Sequence, residues 1–236
     1  MHTKIPLLVE GITSFTTIDY PGYLSAVIFC KGCPWRCRYC HNPNLQAFSL
    51  DERSTTAWDD VLDLLEKRKK LLDGVVFSGG EALMQPNLKN AIMDVKSLGF
   101  KIGLHTAGCL PKRLEEVLPL LDWIGMDIKA PFDKYENVTQ VKNSGKQALE
   151  STELILKSEC AYEFRTTVHR LLLSEEDIRL VAKQLLELGA KNFVLQNFRP
   201  KGCIDTQLVE AHQPLHFDSN LCLDLKTQFE HFTFRS

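Results

Sequence analysis

Short apolar, β-branched runs alternate with longer amphipathic segments along most of this chain, and that alternation narrows the fold more than any other feature. The strand candidates are Leu24–Cys30, Val75–Ser78, Lys101–Thr106, Trp123–Lys129, Glu163–His169 and Asn192–Phe198. Each is short and nearly continuously apolar, the pattern of a strand buried on both faces of a parallel sheet. Helical patterns lie between them. Trp58, Val61, Leu62 and Leu65 fall at i, i+3, i+4 and i+7. Ile178, Val181, Ala182, Leu185 and Leu186 repeat that stripe, with Ser174 placed as N-cap and Gly189 just past the end. Pro111 fits a first helical turn, and Gly99 fits the stop of the helix before it.

Strand followed by helix, six times, predicts an α/β fold with a parallel sheet. Six units use about 200 residues at ~30 residues each, whereas a closed eight-unit barrel typically needs ~250. With 236 residues, the expectation is an open, partial (β/α)6 barrel whose working face lies at the C-terminal ends of its strands. The chain reads as a single domain: residues 1–23 as an N-terminal extension, 24–200 as the core barrel and 201–236 as a C-terminal extension.

Charge and hydropathy narrow the partners. Basic residues number 28 against 30 acidic ones, which leaves no basic footprint for a nucleic acid, so none is expected. No apolar run approaches the ~20 residues needed to cross a bilayer, so no membrane partner is expected either. Met1–Glu10 lacks the segments of a signal peptide, which reads as a cytoplasmic protein. In such a reducing compartment, eight cysteines are metal ligands or buried thiols rather than disulfides.

Four of the eight fall between Cys30 and Cys40, in Cys30-Lys-Gly-Cys33-Pro-Trp-Arg-Cys37-Arg-Tyr-Cys40-His-Asn-Pro. Thiolates at spacings of four and three, on a loop with Gly32 and Pro34, can converge on one iron–sulfur cluster. Three ligands for four irons leave one iron open, as catalytic metal sites keep a vacant position. A zinc site using Cys30, Cys33, Cys37 and Cys40 is the competing reading, but zinc ribbons separate their CxxC pairs by a dozen residues or more. A redox CxxC ignores the other pair. Cys30 ends an apolar strand and reads as a buried small hydrophobe. Cys109, Cys160, Cys203 and Cys222 lack ligand spacing, so no second cluster is expected.

CxxxCxxC with an aromatic residue, Tyr39, before the last cysteine resembles the signature of the radical S-adenosylmethionine (radical SAM) superfamily. The resemblance implies a [4Fe–4S] cluster on Cys33, Cys37 and Cys40 whose open iron chelates the amino and carboxylate groups of S-adenosylmethionine. One-electron cleavage of the sulfonium then gives a 5′-deoxyadenosyl radical that abstracts hydrogen. Ser78-Gly79-Gly80-Glu81 follows the second strand; two glycines permit close approach of a ligand and Glu81 can accept from an ammonium. Standing one unit after the cysteine loop, it resembles the family's motif for the methionine amino group. The usual proline is replaced by Ala82, as it also is in glycyl-radical-enzyme activases.

Thr106 ends the third strand, and Asp127 and Lys129 end the fourth. A charged pair there is costly unless it is paired or faces a polar cleft. A structural ion pair is the plain reading; the Asp-x-Lys pattern resembles activases, where it lies beside the methionine moiety and the incoming peptide. Formate-lyase activases hold a monovalent cation through an acidic residue just before the threonine. His105 stands there in this chain, so that cation site is not carried over. Alternation puts Arg165, Thr167 and His169 on one face of the fifth strand. The resemblance assigns Arg165, Thr167 and Gln196, with Tyr39 and Thr106, to cofactor contacts.

The nearest resemblance within the superfamily is to activating proteins of anaerobic ribonucleoside-triphosphate reductase. It is carried by Thr16-Thr17-Ile18-Asp19-Tyr20-Pro21-Gly22, Cys37–Pro43, Met126–Pro131 and Phe198-Arg199-Pro200. It implies an oxidoreductase whose substrate is a protein, the glycyl radical enzyme, and whose electron donor is of flavodoxin or ferredoxin type. Three other readings stay open: an activase for a formate-lyase type enzyme, a small-molecule enzyme of deazaguanine synthase type, and a non-catalytic iron–sulfur electron carrier. A carrier has no need of Gly79, Gly80 and Glu81.

Overall fold

The computed structural model describes residues 7–47 and 56–236; the first six residues of the N-terminal extension lie outside them. Eight strands form among the described residues: β1 (Val9–Thr16), β2 (Ser25–Cys30), β3 (Gly74–Gly79), β4 (Lys101–Thr106), β5 (Trp123–Asp127), β6 (Ala161–Val168), β7 (Asn192–Asn197) and β8 (His231–Arg235). Their order in the sheet is their order in the chain. β2 to β7 are the six strands that the apolar runs predict. Antiparallel β1 and parallel β8 are additions from the two extensions.

The helices are α1 (Trp58–Glu66), α2 (Leu88–Ser97), α3 (Pro111–Val117), α4 (Glu136–Thr139), α5 (Ser144–Leu156), α6 (Glu175–Glu187), α7 (Thr206–Glu210) and α8 (Asn220–Gln228). None among the described residues is long and apolar enough to cross a membrane. The chain divides into two compact units: Met1–Pro34, Asn44–Thr106 and Lys112–Ile124 form the first, and Trp35–Pro43, Ala107–Pro111 and Gly125–Ser236 form the second.

In the first unit β2, β3 and β4 run parallel in register, Ala26 beside Val75 and Val75 beside Ile102. Tyr20 from the Thr16–Gly22 segment is buried with Val27, Val76 and Trp123, its ring stacked on Trp123 at 5.4 Å. A Cβ on Gly74 would stand 2.9 Å from that ring, so the glycine at the head of β3 makes room for the tyrosine.

In the second unit β6, β7 and β8 are parallel, with Thr167 beside Gln196 and Gln196 beside Arg235. α6 starts where predicted. Ser174 accepts from the Asp177 amide while the Asp177 side chain accepts from the Ser174 amide, a reciprocal cap. The helix buries Ile178, Val181, Ala182 and Leu185. Gly189 follows at φ +89, a left-handed stop that suits glycine.

Candidate active site

Candidate site residues fall in both units. In the first, the chain leaves β2 through a backbone that is tied down on both sides. The Lys31 amide donates to Leu8 O and the Gly32 amide to Leu45 O at 2.7 Å, while Gly32 O accepts from the Glu81 amide at 2.8 Å. Gln85, fully buried, staples the same stretch: its Nε2 donates to Lys31 O at 2.6 Å and its Oε1 accepts from the Leu8 amide at 3.0 Å. Cys33 follows, its amide donating to Gln46 O. Cys30 is fully buried, and burial reinforced by the nearby Glu81 charge pushes its thiol up to about 12, which keeps it protonated.

Gly79 and Gly80 are needed by the chain itself. Gly79 has φ +128 and a Cβ there would strike Cys30 O; one on Gly80 would stand 2.5 Å from Gly32 O and 2.6 Å from Leu45 O. Both glycines therefore let the turn after β3 lie flat against the cysteine loop. Glu81 is 1% exposed. Its Oε1 accepts from the Leu83 amide at 3.2 Å, capping a short 3-10 turn, and its two oxygens lie 2.9 and 3.1 Å from Thr106 Oγ1. The structure thus brings together Glu81 and Thr106. His105 is engaged elsewhere: Nε2 lies 2.9 Å from Asp19 O and Nδ1 3.4 Å from Ser78 Oγ.

The second unit carries Cys37, Tyr39 and Cys40. Two amides of this stretch rest on the C-terminal end of α4, Arg36 N–H donating to Thr139 O and Arg38 N–H to Val138 O. Trp35 packs edge-on against Tyr135. The Tyr135 hydroxyl accepts from the Lys129 amide at 3.0 Å and donates to Asp127 O at 3.2 Å. The stretch after β5 is thereby fixed next to the stretch that carries the cysteines.

Lys129 is buried. Its Nζ lies 3.3 Å from Asp127 Oδ2, 3.5 Å from Tyr39 Oη and 5.2 Å above the Tyr39 ring. The other Asp127 oxygen accepts from Arg165 Nε at 3.0 Å, and Arg165 Nη2 donates to Gly125 O. Burial opposes the Lys129 ammonium, but Tyr39, Cys37 and Asp127 together outweigh it and hold its pKa well above the ordinary value. Burial raises Cys37 and Tyr39, with Lys129 pulling both the other way. Tyr39, Asp127, Lys129 and Arg165 therefore form one connected group.

Thr167 and Gln196 meet across β6 and β7, Gln196 Nε2 donating to Thr167 Oγ1 at 2.8 Å. His169 follows β6 rather than lying on it. Its Nδ1 accepts from the Leu171 amide and its Nε2 lies 2.9 Å from Leu208 O, so both nitrogens are satisfied when the ring is neutral.

Sequence reasoning missed three contributors. Gln85 was a polar residue after a turn, with nothing to mark its burial. Glu163 accepts from both Arg235 Nη atoms at 2.8 and 2.9 Å and lies 4.0 Å from Arg165; the alternation that paired Arg165 with Thr167 also reaches Glu163. Arg38, inside the cysteine motif, pairs with Asp205 of the C-terminal extension.

The donor set suits an iron–sulfur cluster. Cys37 and Cys40 of the second unit are half-buried, as is Cys33 of the first, and His41 Nε2, next to Cys40, is buried without a hydrogen-bond partner. Among the described residues, no three His, Cys, Asp or Glu side chains are gathered tightly enough for a single metal ion.

A family model described as the radical SAM superfamily matches residues 27–185. A Methanocaldococcus jannaschii protein named as a glycyl-radical enzyme activating enzyme is 31% identical over 217 residues, 88% of this chain and 86% of its own length. A pyruvate formate-lyase-activating enzyme of Clostridium pasteurianum is 34% identical over 137 residues, 56% of each chain. Among solved structures, Streptococcus suis SuiB bound to its precursor peptide SuiA matches with a TM-score of 0.67 at 15% identity, covering 89% of this chain. This chain spans about half of SuiB, 48%. A domain of a pyruvate-formate lyase-activating enzyme from Bacteroides vulgatus matches at 0.56 and 18% identity, covering 69% of this chain and 98% of that domain. At such identities these structures speak for the fold alone.

Proposed function

We propose that this chain, which belongs to the radical SAM superfamily, is an oxidoreductase that installs a glycyl radical on an anaerobic ribonucleoside-triphosphate reductase. The observation that carries the activase reading is the match to the M. jannaschii protein over nearly the full length of both chains. The choice of reductase over formate lyase rests on the Thr16–Gly22 and Phe198-Arg199-Pro200 motifs, and the match to the formate-lyase activase covers only 56% of this chain.

Members of the superfamily use a [4Fe–4S] cluster and S-adenosylmethionine, which together supply a radical able to take a hydrogen atom from an unactivated carbon. In this reading Cys33, Cys37 and Cys40 ligate the cluster. Glu81, its plane fixed by Thr106, accepts from the methionine ammonium. Thr167, Gln196 and Tyr39 contact the nucleoside portion, and Arg165 meets the carboxylate. Asp127 and Lys129 hold the incoming peptide so that its glycine α-hydrogen faces the radical, an oriented contact that converts binding into rate. The electron comes from a flavodoxin or ferredoxin. The place of work in this reading is the reducing cytoplasm, where cysteines serve as metal ligands or buried thiols.

The test is to mix reduced, cluster-loaded enzyme and S-adenosylmethionine with a cognate reductase and to record the glycyl doublet by electron paramagnetic resonance. A doublet is expected, and Lys129→Ala should lower its yield more than it lowers cofactor binding. A doublet on a formate-lyase type enzyme alone would move the substrate assignment. Turnover of a small molecule with no doublet on any glycyl radical enzyme would reject the activase reading.

A further inference from the structure

We propose that Gly202–Gln207 is a clamp on the cysteine loop, and that Arg38 and Asp205 are positioning residues whose ion pair governs how long the loop keeps its cluster. The inference rests on the reading that Cys37 and Cys40 are cluster ligands.

Arg38 stands between Cys37 and Tyr39, and its amide, its carbonyl and two of its guanidinium nitrogens are engaged within the second unit. Its amide donates to Val138 O at 3.2 Å. Its carbonyl accepts the Cys203 thiol at 3.6 Å. Its Nε and Nη2 both lie 2.9 Å from Asp205 Oδ2, and Nη2 also reaches Gln207 Oε1 at 3.3 Å. The second Asp205 oxygen accepts from the Leu208 amide at 3.2 Å, so the same carboxylate caps α7. One residue past the cysteines, His41 O lies so close to Gly202 that a Cβ there would strike it, and Gly202 has φ +90. The stretch from Cys37 to His41 is held on one side by the carbonyls of α4 and on the other by Gly202–Gln207.

Arg38 and Asp205 are partly shielded, with side-chain exposures of 31% and 19%. A cluster held by three thiolates on a short loop leaves when the loop opens. Opening is a local event whose free energy is set by contacts such as these. Loss of one partly shielded ion pair is then worth about fivefold in the rate of cluster release.

The experiment uses full-length protein, reconstituted anaerobically, with a ferrous chelator added and the cluster absorbance followed over time. Asp205→Asn separates the two roles of the carboxylate, because asparagine caps a helix as well as aspartate does. Arg38→Gln and Asp205→Asn are each expected to release iron about fivefold faster than wild type. The double variant should be no faster than either single, since both remove one contact. The thermal midpoint of metal-free Asp205→Asn should fall by no more than about 2–4 °C, the shift one such contact is worth in a chain of this size; a larger fall would mark general destabilisation and overturn the clamp. Gly202→Ala, which forces the two backbones apart, should release iron faster still.

Release at the wild-type rate in both single variants, or effects that simply add in the double, would overturn the clamp. A wild-type protein that takes up no iron would overturn the cluster reading, a failure distinct from the first because it shows before any variant is compared.

Discussion

Thr106 Oγ1 lies 2.9 and 3.1 Å from the two carboxylate oxygens of Glu81, so one hydroxyl at the end of β4 fixes the plane of a buried carboxylate just past β3. Thr106→Val keeps the shape and removes the donor. Leaving a buried acceptor short of a partner costs about 1–3 kcal/mol, to be read as a lowered urea midpoint. S-adenosylmethionine binding should weaken about tenfold, the equivalent of 1.4 kcal/mol. Thr106→Ser should restore both, and wild-type affinity in Thr106→Val would mean that the orientation of Glu81 is irrelevant.

Gly80 and Gly99 offer a matched pair. A Cβ on Gly80 meets the backbone oxygens of Gly32 and Leu45, whereas Gly99, at φ +92, opens onto free space. Gly80→Ala should lose about 1–3 kcal/mol through overpacking and take up less iron, because the strain falls on the residue before Cys33. Gly99→Ala should lose about 1–2 kcal/mol through backbone strain alone and load iron normally. Equal iron content in the two variants would detach the turn after β3 from the cysteine loop.

Cys30 differs from its three neighbours in the motif. With its thiol held up to about 12, it should resist alkylation at pH 8 in folded, iron-free protein. Cys30→Ala should still bind about four irons per chain, whereas Cys33→Ala, Cys37→Ala or Cys40→Ala should bind none. Iron lost from Cys30→Ala would require a fourth thiolate ligand.

His169 predicts a pH dependence. Burial lowers its pKa from 6.5, with the Leu208 contact opposing, so the unfolded chain takes up the proton first as the pH falls. The contribution to stability is complete above about pH 6.5 and declines as the pH drops through the unfolded value toward the folded one. His169→Gln removes that titration. Its urea midpoint should fall less than that of the wild type between pH 7 and 5.5, and parallel curves would place the titrating group elsewhere.

The parts of this fold that are legible in the sequence are those with a one-dimensional signature. β2 to β7 are continuous apolar runs, and α6 announces itself by its cap and stripe. β1 and β8 escaped because edge strands need no such run: β1 is half-exposed with two register shifts, and β8 alternates His, Phe, Thr, Phe, Arg over five residues. The cysteines stand out by spacing, Glu81 by resemblance to a family motif, and Thr106 and Asp127 as strand ends; β5 stops at Asp127, so Lys129 lies two residues past the strand expected to carry it. What spacing could not convey is which distant residue completes each group. Arg235 on Glu163, Gln85 under Lys31 and Asp205 on Arg38 are long-range pairings between residues that are individually unremarkable.

Arg38 and Asp205 are separated by 167 positions in the chain, and that distance sets an order of events in the cell. At translation rates of about 5–20 residues per second, roughly 10–30 s pass between the emergence of the cysteine motif and that of its clamp. During that interval the thiols hang from a partly assembled sheet with one of the loop's two supports still unmade. On the clamp proposal, iron delivered to the nascent chain would leave about fivefold faster than from the finished one, which favours loading after synthesis.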